Sequence, residues 1–550
     1  MGASRKTSAP SCYSLHRLSE VAMFMSNTAA SPTIARHRAA ITRADLSKPV
    51  RLALEAGLLT PVTSFFDYGC GRGGDLRRLR DRGFKHCAGY DPHYRPDTSQ
   101  TSASVVNLGY VINVIECPEE RRQVLVSAWN LTEQVLIVAA QVAILEGNGY
   151  TIYGDGIVTS HNTFQKYYEQ EELKSYIDQV LGVDSIPVAL GIYFVFRDEA
   201  HAQSFRAKRW RSRITTPRIC TAIRQFDEHQ NLLTPFMSFI SDRGRLPSPG
   251  ELGCYAGDIA VEVSLLEIFG SFKSAFRVVL KATNSTEWDA ITDRRRQDAL
   301  LYLALTKFTG RPRFSELSLD LQQDFKVFFG SYQQACIAAD LLLINLGDLD
   351  RLWKVAQASL IGKKLPKALY VHLSALDQLD PQLRLYEGCA SRTVGRLDEA
   401  NLIKFSFDKP KISYLHYPKF EADPHPALKT SMTIDLRNLQ VIYRDYDNRD
   451  NPPILHRKET FLATDHPQYE KFAKLTRQEE IWGLLDSPQS IGTLQGWERR
   501  LQDCGAMVSG HRLIERKNLD PYRLKILRAD RRRRQLAAKS TSGSAPRSAP

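Results

Sequence analysis

A glycine-rich turn near the N-terminus is the feature that most limits how this chain can fold. Its nine residues run from Asp67 to Asp75 with the sequence DYGCGRGGD and follow a short apolar run at 63–66. Glycines at alternate positions permit positive φ angles and let a ligand approach the backbone closely. A buried strand, a glycine turn and an amphipathic helix in succession are typical of a parallel sheet with flanking helices. The turn therefore predicts a ligand site at the carboxyl end of that strand.

The residues after the turn predict further strands and helices in alternation. Apolar runs predict strands at 87–90, 104–106, 135–139 and 191–196, and helical spacing predicts helices at 119–131 and 171–181. Alternation of this kind forms a mainly parallel sheet with helices on both faces. Asp67, Asp91 and Asn107 each stand at a predicted strand end, where such sheets bind ligands. We therefore expect an α/β, Rossmann-like domain with its chemistry at these three positions.

The charges around the turn discriminate between two cofactor classes. Dinucleotide sites use GxGxxG and hold the pyrophosphate at a helix N-terminus, whereas the glycines here run GxGxG between Asp67 and Asp75. Two carboxylates repel an anion and attract the sulfonium and amino groups of S-adenosylmethionine, while Asp91 suits ribose hydroxyls. NAD and a turn without any ligand are the alternatives. The predicted cofactor-binding residues are Asp67, Tyr68, Gly69, Gly71, Gly73, Asp75, Asp91 and Asn107.

The spacing after Asp91 predicts an unusual pocket. Only twelve residues separate Asp91 from Ser104, which leaves little room for the usual helix and third strand. We therefore expect the adenine side of the pocket to be reduced. The amide of Asn107, at the end of the following strand, is predicted to meet the cofactor or the substrate near the methyl group. The alternative is that Asn107 caps a turn before Gly109.

Several motifs together resemble one known family. They are YGCG with GGD in the turn, DPHYRPD at 91–97, VNLGYVINVIE at 106–116, RHRAAI at 36–41, LSKPV at 46–50 and NPPILHRKE at 451–459. The chain resembles the DNA phosphorothioation-associated methyltransferases over roughly residues 33–516. The resemblance implies a bacterial class I, S-adenosylmethionine-dependent methyltransferase encoded beside DNA sulfur-modification genes, and it specifies no substrate. The GGD extension also resembles messenger-RNA cap methyltransferases, but the rest of the chain does not follow them.

The residues that would act on a methyl acceptor are less well defined. Enzymes that methylate adenine or cytosine amines carry a four-residue motif after the fourth strand. The motif begins with Asp or Asn, continues with two prolines and ends with Tyr or Phe. Residues 107–110 lack both prolines. The NPPI sequence at 451–454 lies far outside the sheet and lacks the aromatic residue, and no Pro-Cys pair for cytosine-C5 chemistry is present. The catalytic candidates are Asn107, Tyr110, Asp155 and His161. Asp155 or His161 would be the general base, unless both belong to an ordinary loop.

The remaining chain predicts further domains. Residues 250–390 have helical periodicity throughout, and strand-like runs begin at 402. We predict a disordered leader at 1–32, a methyltransferase domain at 33–200, a basic linker and mainly helical domain at 201–395, an α+β domain at 396–520 and a disordered basic tail at 521–550.

The charge of the chain bears on its partners. The formal net charge is +13, with basic clusters at 208–213, 294–296 and 528–534. Such an excess favours a polyanion such as DNA, with Trp210 available for stacking, although solvated surfaces explain the charge equally well. Proteins of a DNA sulfur-modification system are further expected partners. The sequence contains no run of about 18 apolar residues, so no membrane span is predicted. Its nine scattered cysteines without CxxC spacing suit the reducing cytoplasm.

A group of polar residues in the C-terminal half could bind a metal ion. It contains His416, Asp423, His425, His456 and Glu459. Their spacing matches no known metal site, so no metal is predicted.

The function predicted from the sequence is an S-adenosylmethionine-dependent methyltransferase that acts on DNA or within a DNA sulfur-modification system. The alternatives are a DNA-binding or regulatory protein that keeps the cofactor fold without transferase activity, and an RNA methyltransferase.

Overall fold

The computed structural model describes residues 34–142, 151–397, 399–447, 449–517 and 519–542. The predicted leader at 1–32 and the last eight residues of the predicted tail lie outside these ranges. Short 3-10 helices occur at Arg36–Ala39, Phe314–Glu316, Asn345–Gly347, Leu373–Gln378 and Lys458–Phe461.

The first part of the chain alternates strands with helices. The strands are β1 Phe65–Tyr68, β2 Cys87–Tyr90, β3 Ala103–Gly109, β4 Thr132–Ala139, β5 Thr151–Tyr153, β6 Gly156–Val158, β7 Phe164–Gln165, β8 Ile186–Ala189 and β9 Ile192–Phe196. The helices are α1 Lys48–Glu55, α2 Gly74–Asp81, α3 Pro118–Leu131, α4 Gln170–Leu181 and α5 Glu199–Arg209. Strands β5 to β7 form a small antiparallel sheet of their own.

Six strands form the main sheet of this part, in the order β2-β1-β3-β4-β9-β8. Strand β1 lies parallel to β2 and β3, and β4 lies parallel to β3. Strand β9 runs antiparallel to β4, and β8 runs antiparallel to β9. The mixed α/β, Rossmann-like arrangement agrees with the predicted fold class, except that the late strand is reversed. Because β2 ends the sheet order, the short span after Asp91 adds no strand beyond it, as its length predicted.

Both faces of the main sheet are covered, as a largely parallel sheet requires. Val135 and Ile137 of β4 pack on one side with α1 and α2, while Leu136 and Val138 pack on the other side with α3 and α4. Successive side chains of a strand point to opposite faces, so the continuous apolar run of β4 supplies both cores. Helix α2 buries its leucines, Leu76 among them, and leaves several arginines outside.

A group of helices follows, as predicted from the helical periodicity. They are α6 Arg224–Glu228, α7 Gln230–Arg243, α8 Glu251–Ala256, α9 Ile259–Phe269, α10 Phe272–Ala282, α11 Ser285–Thr306, α12 Leu319–Phe329, α13 Tyr332–Ile344 and α14 Leu349–Ala358. Within the described ranges no single helix is long and apolar enough to cross a membrane. Helices α12 and α13 pass that test only as a pair, bent by 76°.

The prediction of helix throughout 250–390 was wrong at its end. Strands β10 Lys363–Leu365 and β11 Ala368–His372 precede helix α15 Pro381–Val394. They open a second, antiparallel sheet that continues through β12 Leu402–Ser406, β13 Lys411–His416, β14 Thr430–Asp435 and β15 Val441–Asp445. Strand β11 pairs with β12, about thirty residues away. Periodicity cannot separate so short an apolar run from a buried helical turn, so the long-range pairing decides its structure.

The C-terminal region contains helices and a hairpin. Its elements are α16 Tyr469–Ile481, α17 Leu494–Asp503, β16 Ala506–Ser509, β17 Arg512–Glu515 and α18 Pro521–Ser542. Helix α18 replaces the predicted disorder at 521–542. Arg528 and Arg531 pair with Glu515 of the hairpin, and the guanidinium of Arg531 lies 3.4 Å from the ring centroid of Trp482. The composition of the tail predicted disorder, but in the structure its arginines contact residues of neighbouring elements.

Candidate functional site

A cavity of about 520 Å³ lies at the carboxyl ends of β1, β2 and β3. Its volume falls in the range of small-molecule and cofactor sites. Most of the predicted site residues line it, namely Asp67, Tyr68, Gly69, Gly71, Asp75, Asp91 and Tyr110. Gly73, Asn107, Asp155 and His161 are not among its lining residues. The edge of the sheet chosen from the sequence is therefore the edge that carries the cavity.

The glycines of the turn are required by its backbone. Gly69, Gly71 and Gly73 have φ angles of 82°, 51° and 70°, which L side chains rarely adopt. A Cβ atom on Gly69 would overlap the side chain of Val111, which also lines the cavity. On Gly73 a Cβ atom would meet the guanidinium of Arg95. Gly73 thus serves the close packing of the turn and not the cavity wall.

The carboxylate of Asp91 binds the glycine turn from the neighbouring strand. Its Oδ2 accepts a hydrogen bond from the backbone N–H of Gly71 at 2.9 Å, and its Oδ1 accepts from those of His93 and Tyr94 at 2.9 Å each. A carboxylate has about four acceptor positions, so one stays available to a ligand hydroxyl. The sequence predicted only the ribose contact and missed these backbone bonds, which hold Asp91 at the cavity wall.

Asp67 is a buried acid at the floor of the cavity. Its side chain accepts a hydrogen bond from Asn107 Nδ2 at 2.8 Å, and the residue is 5% exposed. Burial, reinforced by the charge of nearby Asp75, raises the pKa of Asp67 to about 7. A cation bound in the cavity would favour the ionised form of this carboxyl. The sequence predicted that Asn107 contacts a ligand. In the structure Asn107 lies behind Asp67 instead, and its amide orients the Asp67 side chain.

Asp75 and Tyr68 complete the floor. Asp75 stands in the first turn of α2, and its Oδ1 accepts from the backbone N–H of Ser47 at 2.8 Å. The ring of Tyr68 packs edge-to-face on that of Tyr90, with their centroids 5.8 Å apart, and burial raises the pKa of the Tyr68 hydroxyl. A carboxylate at the N-terminal end of α2 counteracts the capacity of that helix to hold an anion.

The segment before α1 covers the cavity beside β2, the strand at this edge of the sheet. Arg36 Nε bonds Glu116 Oε2 at 2.8 Å, and the rings of His37 and His93 stack with centroids 4.4 Å apart. The Tyr94 hydroxyl donates to the carbonyl of His37 at 3.0 Å. This cover was not predicted, although the segment belongs to the motifs that carry the family resemblance.

Tyr110 follows β3 in a strained conformation. Its φ is 62°, its N–H donates to the carbonyl of Ala139 at 2.8 Å, and the guanidinium of Arg43 lies 5.5 Å from its ring centroid. Non-glycine residues with positive φ cost free energy and often occur at functional sites. The structure therefore keeps Tyr110 as a candidate for contact with the acceptor.

Amide side chains that the sequence did not single out line the far side of the cavity. Asn113 Nδ2 donates to Gln165 Oε1 at 2.9 Å, and Gln141 lines the same wall. Asn113 is 1% exposed, and its Oδ1 has no hydrogen-bond partner within the described part of the chain. A buried acceptor without a partner is costly, so a ligand donor at this position would be favoured. Asn113 lies only six residues after Asn107 in the sequence, but no spacing pattern identified it as a site residue.

The structure argues against both candidates for the general base. Asp155 bonds Arg121 Nη1 at 2.8 Å and Lys166 Nζ at 2.9 Å, and the Arg121 guanidinium holds the pKa of this carboxyl well below its usual range. So weak a base is poorly matched to proton abstraction near neutral pH. His161 is exposed and does not line the cavity, and its backbone N–H donates to Thr159 Oγ1 at 3.3 Å. The interpretation as an ordinary loop is therefore the better one for both residues.

Some residues of the basic clusters make contacts within the fold. Trp210 is 8% exposed and packs in the core around α11, so it is not available for stacking on a base. Arg211 pairs with Asp242, Arg295 bonds the carbonyl of Ser212, and Arg534 pairs with Asp486. The charge pattern had predicted exposed patches at these positions. Six basic residues of these clusters are exposed, so contact with a polyanion stays a prediction: Lys208, Arg213, Arg296, Arg528, Arg532 and Arg533.

No family model matches the chain, and no curated protein matches it. Among solved structures, the chain is similar to S-adenosylmethionine-bound CalS10. That protein is described as an amino pentose methyltransferase from Micromonospora echinaspora involved in calicheamicin biosynthesis. The matched region covers 27% of this chain and 90% of the CalS10 chain. The identity is 15% and the TM-score 0.22. The resemblance to the DNA phosphorothioation-associated family therefore stays a prediction, and the geometry of the cavity carries the functional argument.

Proposed function

We propose that this chain is an S-adenosylmethionine-dependent methyltransferase. The observation that carries the proposal is the buried carboxyl of Asp67, which lies at the floor of a cofactor-sized cavity with Asp75 beside it. An acid in this position is costly to ionise until a cation is bound. The amino and sulfonium groups of S-adenosylmethionine supply such a charge, whereas the pyrophosphate of a dinucleotide would face two carboxylates.

The described residues suit this cofactor at several points. Gly69 and Gly71 line the cavity and have no side chain of their own to block the approach of an extended ligand to the backbone. Asp91 retains acceptor capacity for ribose hydroxyls, and His37 with His93 forms an aromatic surface at the end of the sheet. When bound, the cofactor would supply an electrophilic methyl group on a cationic sulfur.

The chain's own residues would orient the acceptor for in-line attack. Tyr110 and the Asn113 amide lie on the cavity wall, and positioning of the nucleophile can supply much of the rate of a methyl transfer. Asn113 Oδ1 can accept a hydrogen bond from an amine or hydroxyl of the acceptor. The proton lost by the acceptor would pass to solvent, since Asp155 is engaged by Arg121.

DNA is the acceptor that we propose, directly or as part of a sulfur-modification system. The support is the charge at the rim of the cavity, where Arg72 and Arg77 are exposed beside Arg43. Arginines around the mouth of a cavity neutralise phosphates and position a nucleic-acid backbone. RNA would satisfy the same contacts. A regulator that binds the cofactor without transferring its methyl group is the alternative from another functional class.

Calorimetry with the purified full chain tests the cofactor. Binding of S-adenosylmethionine and no binding of NAD are expected, and Gly69→Ala should weaken binding by at least tenfold because its Cβ would overlap Val111. Gly57→Ala is the matched control, because Gly57 also has positive φ but open space around it. Equal affinity of Gly69→Ala and wild type would contradict the proposed site.

Transfer of a tritiated methyl group tests the reaction. Incorporation into DNA, with little into RNA or into protein from a cell extract, is expected. Preferential incorporation into RNA would show that RNA, and not DNA, is the acceptor. Tight cofactor binding without transfer to any of these would favour the regulator.

A further inference from the structure

Three buried side chains with metal-binding atoms meet in the C-terminal part of the chain. They are His425, from the loop before β14, His456, from the NPPILHRKE segment, and Glu479, from α16. One ligand atom from each lies within 4.8 Å of the others. The side chains of His425 and Glu479 are 7% and 1% exposed. The long separation of these residues along the chain explains why no spacing rule found the cluster.

The ring of His456 is oriented with a free lone pair. Its Nε2 lies 2.6 Å from the carbonyl oxygen of Ile491, which can only accept, so Nε2 carries the proton and donates. Its Nδ1 is therefore an acceptor in the neutral ring. This atom is buried and has no hydrogen-bond partner within the described ranges. Metal-binding histidines commonly donate their second ring N–H to a backbone carbonyl in this way.

His425 and Glu479 face the same point. Nε2 of His425 lies 2.5 Å from Oε1 of Glu479, and the backbone N–H of His425 donates to Asp423 Oδ1 at 3.0 Å. The ring of Trp497 closes the cluster, with its centroid 4.5 Å from that of each histidine. Lys458 is nearby, but its Nζ donates to the carbonyl of Phe420 at 2.6 Å and to that of Asp423. The carboxylate of the cluster is that of Glu479.

We propose that His425 Nε2, His456 Nδ1 and the Glu479 carboxylate bind one Zn²⁺ ion. Two imidazoles and a carboxylate are a set that zinc accepts, with water completing four coordination, whereas Mg²⁺ and Ca²⁺ prefer oxygen ligands. Ligands of a tetrahedral zinc ion lie about 3.3 Å apart, given metal–nitrogen distances of about 2.0 Å. The contact between His425 and Glu479 would open by less than about 1 Å, within reach of side-chain rotation.

The ion would hold three segments of the C-terminal part together. His456 is positioned by contacts of its own segment, since the carbonyl of Pro452 accepts from Leu494 N at 3.1 Å and Asn451 Oδ1 accepts from Gln495 N at 3.0 Å. The NPPI sequence therefore serves as a scaffold for a metal ligand and not as a methylation motif. None of the three ligands lines the cofactor cavity, so this proposal is independent of the proposed transferase activity.

Metal analysis of the purified full chain tests the site. We expect about one equivalent of zinc per chain, lost on dialysis against a chelator and regained on addition of Zn²⁺ with a rise in Tm. Cobalt-loaded wild type should show the intense visible absorption of four-coordinate Co²⁺, and X-ray absorption should show nitrogen and oxygen ligands without sulfur. A chelated protein that binds no Zn²⁺, or a shell containing thiolate, would overturn the proposal.

Matched variants locate the ligands. Glu479→Gln and His456→Gln keep the side-chain size approximately and should weaken Zn²⁺ binding by more than tenfold. His416→Gln is the control, because His416 is a buried histidine of strand β13 that lies near Glu399 and outside the cluster. Zinc content that is unchanged in Glu479→Gln and His456→Gln would also overturn the proposal. The measurements on wild type decide the matter if a variant does not fold.

Discussion

Asn107 Nδ2 donates a hydrogen bond to Asp67 Oδ1 across 2.8 Å, joining the ends of the adjacent strands β3 and β1 below the cavity. Both side chains are at least 95% buried. The bond keeps the Asp67 carboxyl at the floor of the cavity, where burial raises the cost of ionising it. A buried acid held in this way lowers the stability of the free protein in exchange for a strong interaction with a bound cation.

Asp67→Asn should therefore stabilise the protein while removing cofactor affinity. The pKa of Asp67 is raised to about 7 in the folded state, so the folded state binds more protons than the unfolded state between about pH 4 and pH 7. The free energy of unfolding of wild type then falls as pH rises through this window. Relative to wild type, Asp67→Asn should gain about 3 kcal/mol between pH 5 and pH 8. Urea unfolding at both pH values measures the difference, and a difference independent of pH would contradict it.

The same carboxyl predicts that cofactor binding releases a proton. A cation in the cavity lowers the pKa of Asp67, so at neutral pH the partly protonated acid ionises on binding, and affinity rises with pH from 6 to 8. Calorimetry in phosphate and in Tris, whose ionisation enthalpies differ, measures the released proton. S-adenosylhomocysteine, which lacks the sulfonium charge, should release less. Equal heats in the two buffers for S-adenosylmethionine would refute the linkage.

Asp155→Asn should weaken the fold and leave the pH profile of methyl transfer unchanged. Its ion pair with the nearly buried Arg121 holds the pKa of Asp155 well below its usual range. The pair stabilises the fold above the unfolded pKa of about 4 and is lost as pH falls below it. Because Asp155 is 38% exposed, the expected cost at pH 7 is about 1 kcal/mol. Urea unfolding at pH 7 and pH 3 measures it. His161→Ala is the control and should change neither quantity.

Local patterns in the sequence were sufficient to predict the edge of the sheet that carries the cavity. The apolar run before Asp67, the glycines after it and the acid at Asp91 all depend on neighbouring residues, and the structure brings Asp67 and Asp91 to one cavity. The short span after Asp91 also predicted that β2 would end the sheet. These features follow from periodicity and turn geometry alone.

Contacts between distant segments were beyond such patterns. The stacking of His37 on His93 and the pairing of β11 with β12 depend on the tertiary fold. Glu479 likewise joins His425 across more than fifty residues. The sequence also does not reveal that Trp210 packs in a core and is therefore unavailable for stacking on a base. The acidic partner of an arginine can also lie far away along the chain, as Asp242 does for Arg211.

Asp298 provides a test of how the helical part is held together. It is 3% exposed, accepts from Arg384 Nη1 at 2.8 Å and Arg295 Nη1 at 3.2 Å, and receives both the backbone N–H and the hydroxyl of Ser212, at 2.9 and 2.8 Å. The bonds join α11 to α15 and to the segment after α5. Asp298→Ala would remove the carboxylate that two buried guanidinium groups share, at an expected cost of about 3–5 kcal/mol.

The unfolding free energy in urea measures that cost, and two substitutions separate its causes. Asp298→Asn can keep one acceptor for Ser212 but loses the charge, so it should be destabilising to a lesser degree than Asp298→Ala. Asp289→Ala removes an exposed carboxylate from the same helix and should change stability by less than about 0.5 kcal/mol. If Asp298→Ala proved as mild as Asp289→Ala, the arginines would have to find solvent or other acceptors, and the buried network would not be what joins these elements.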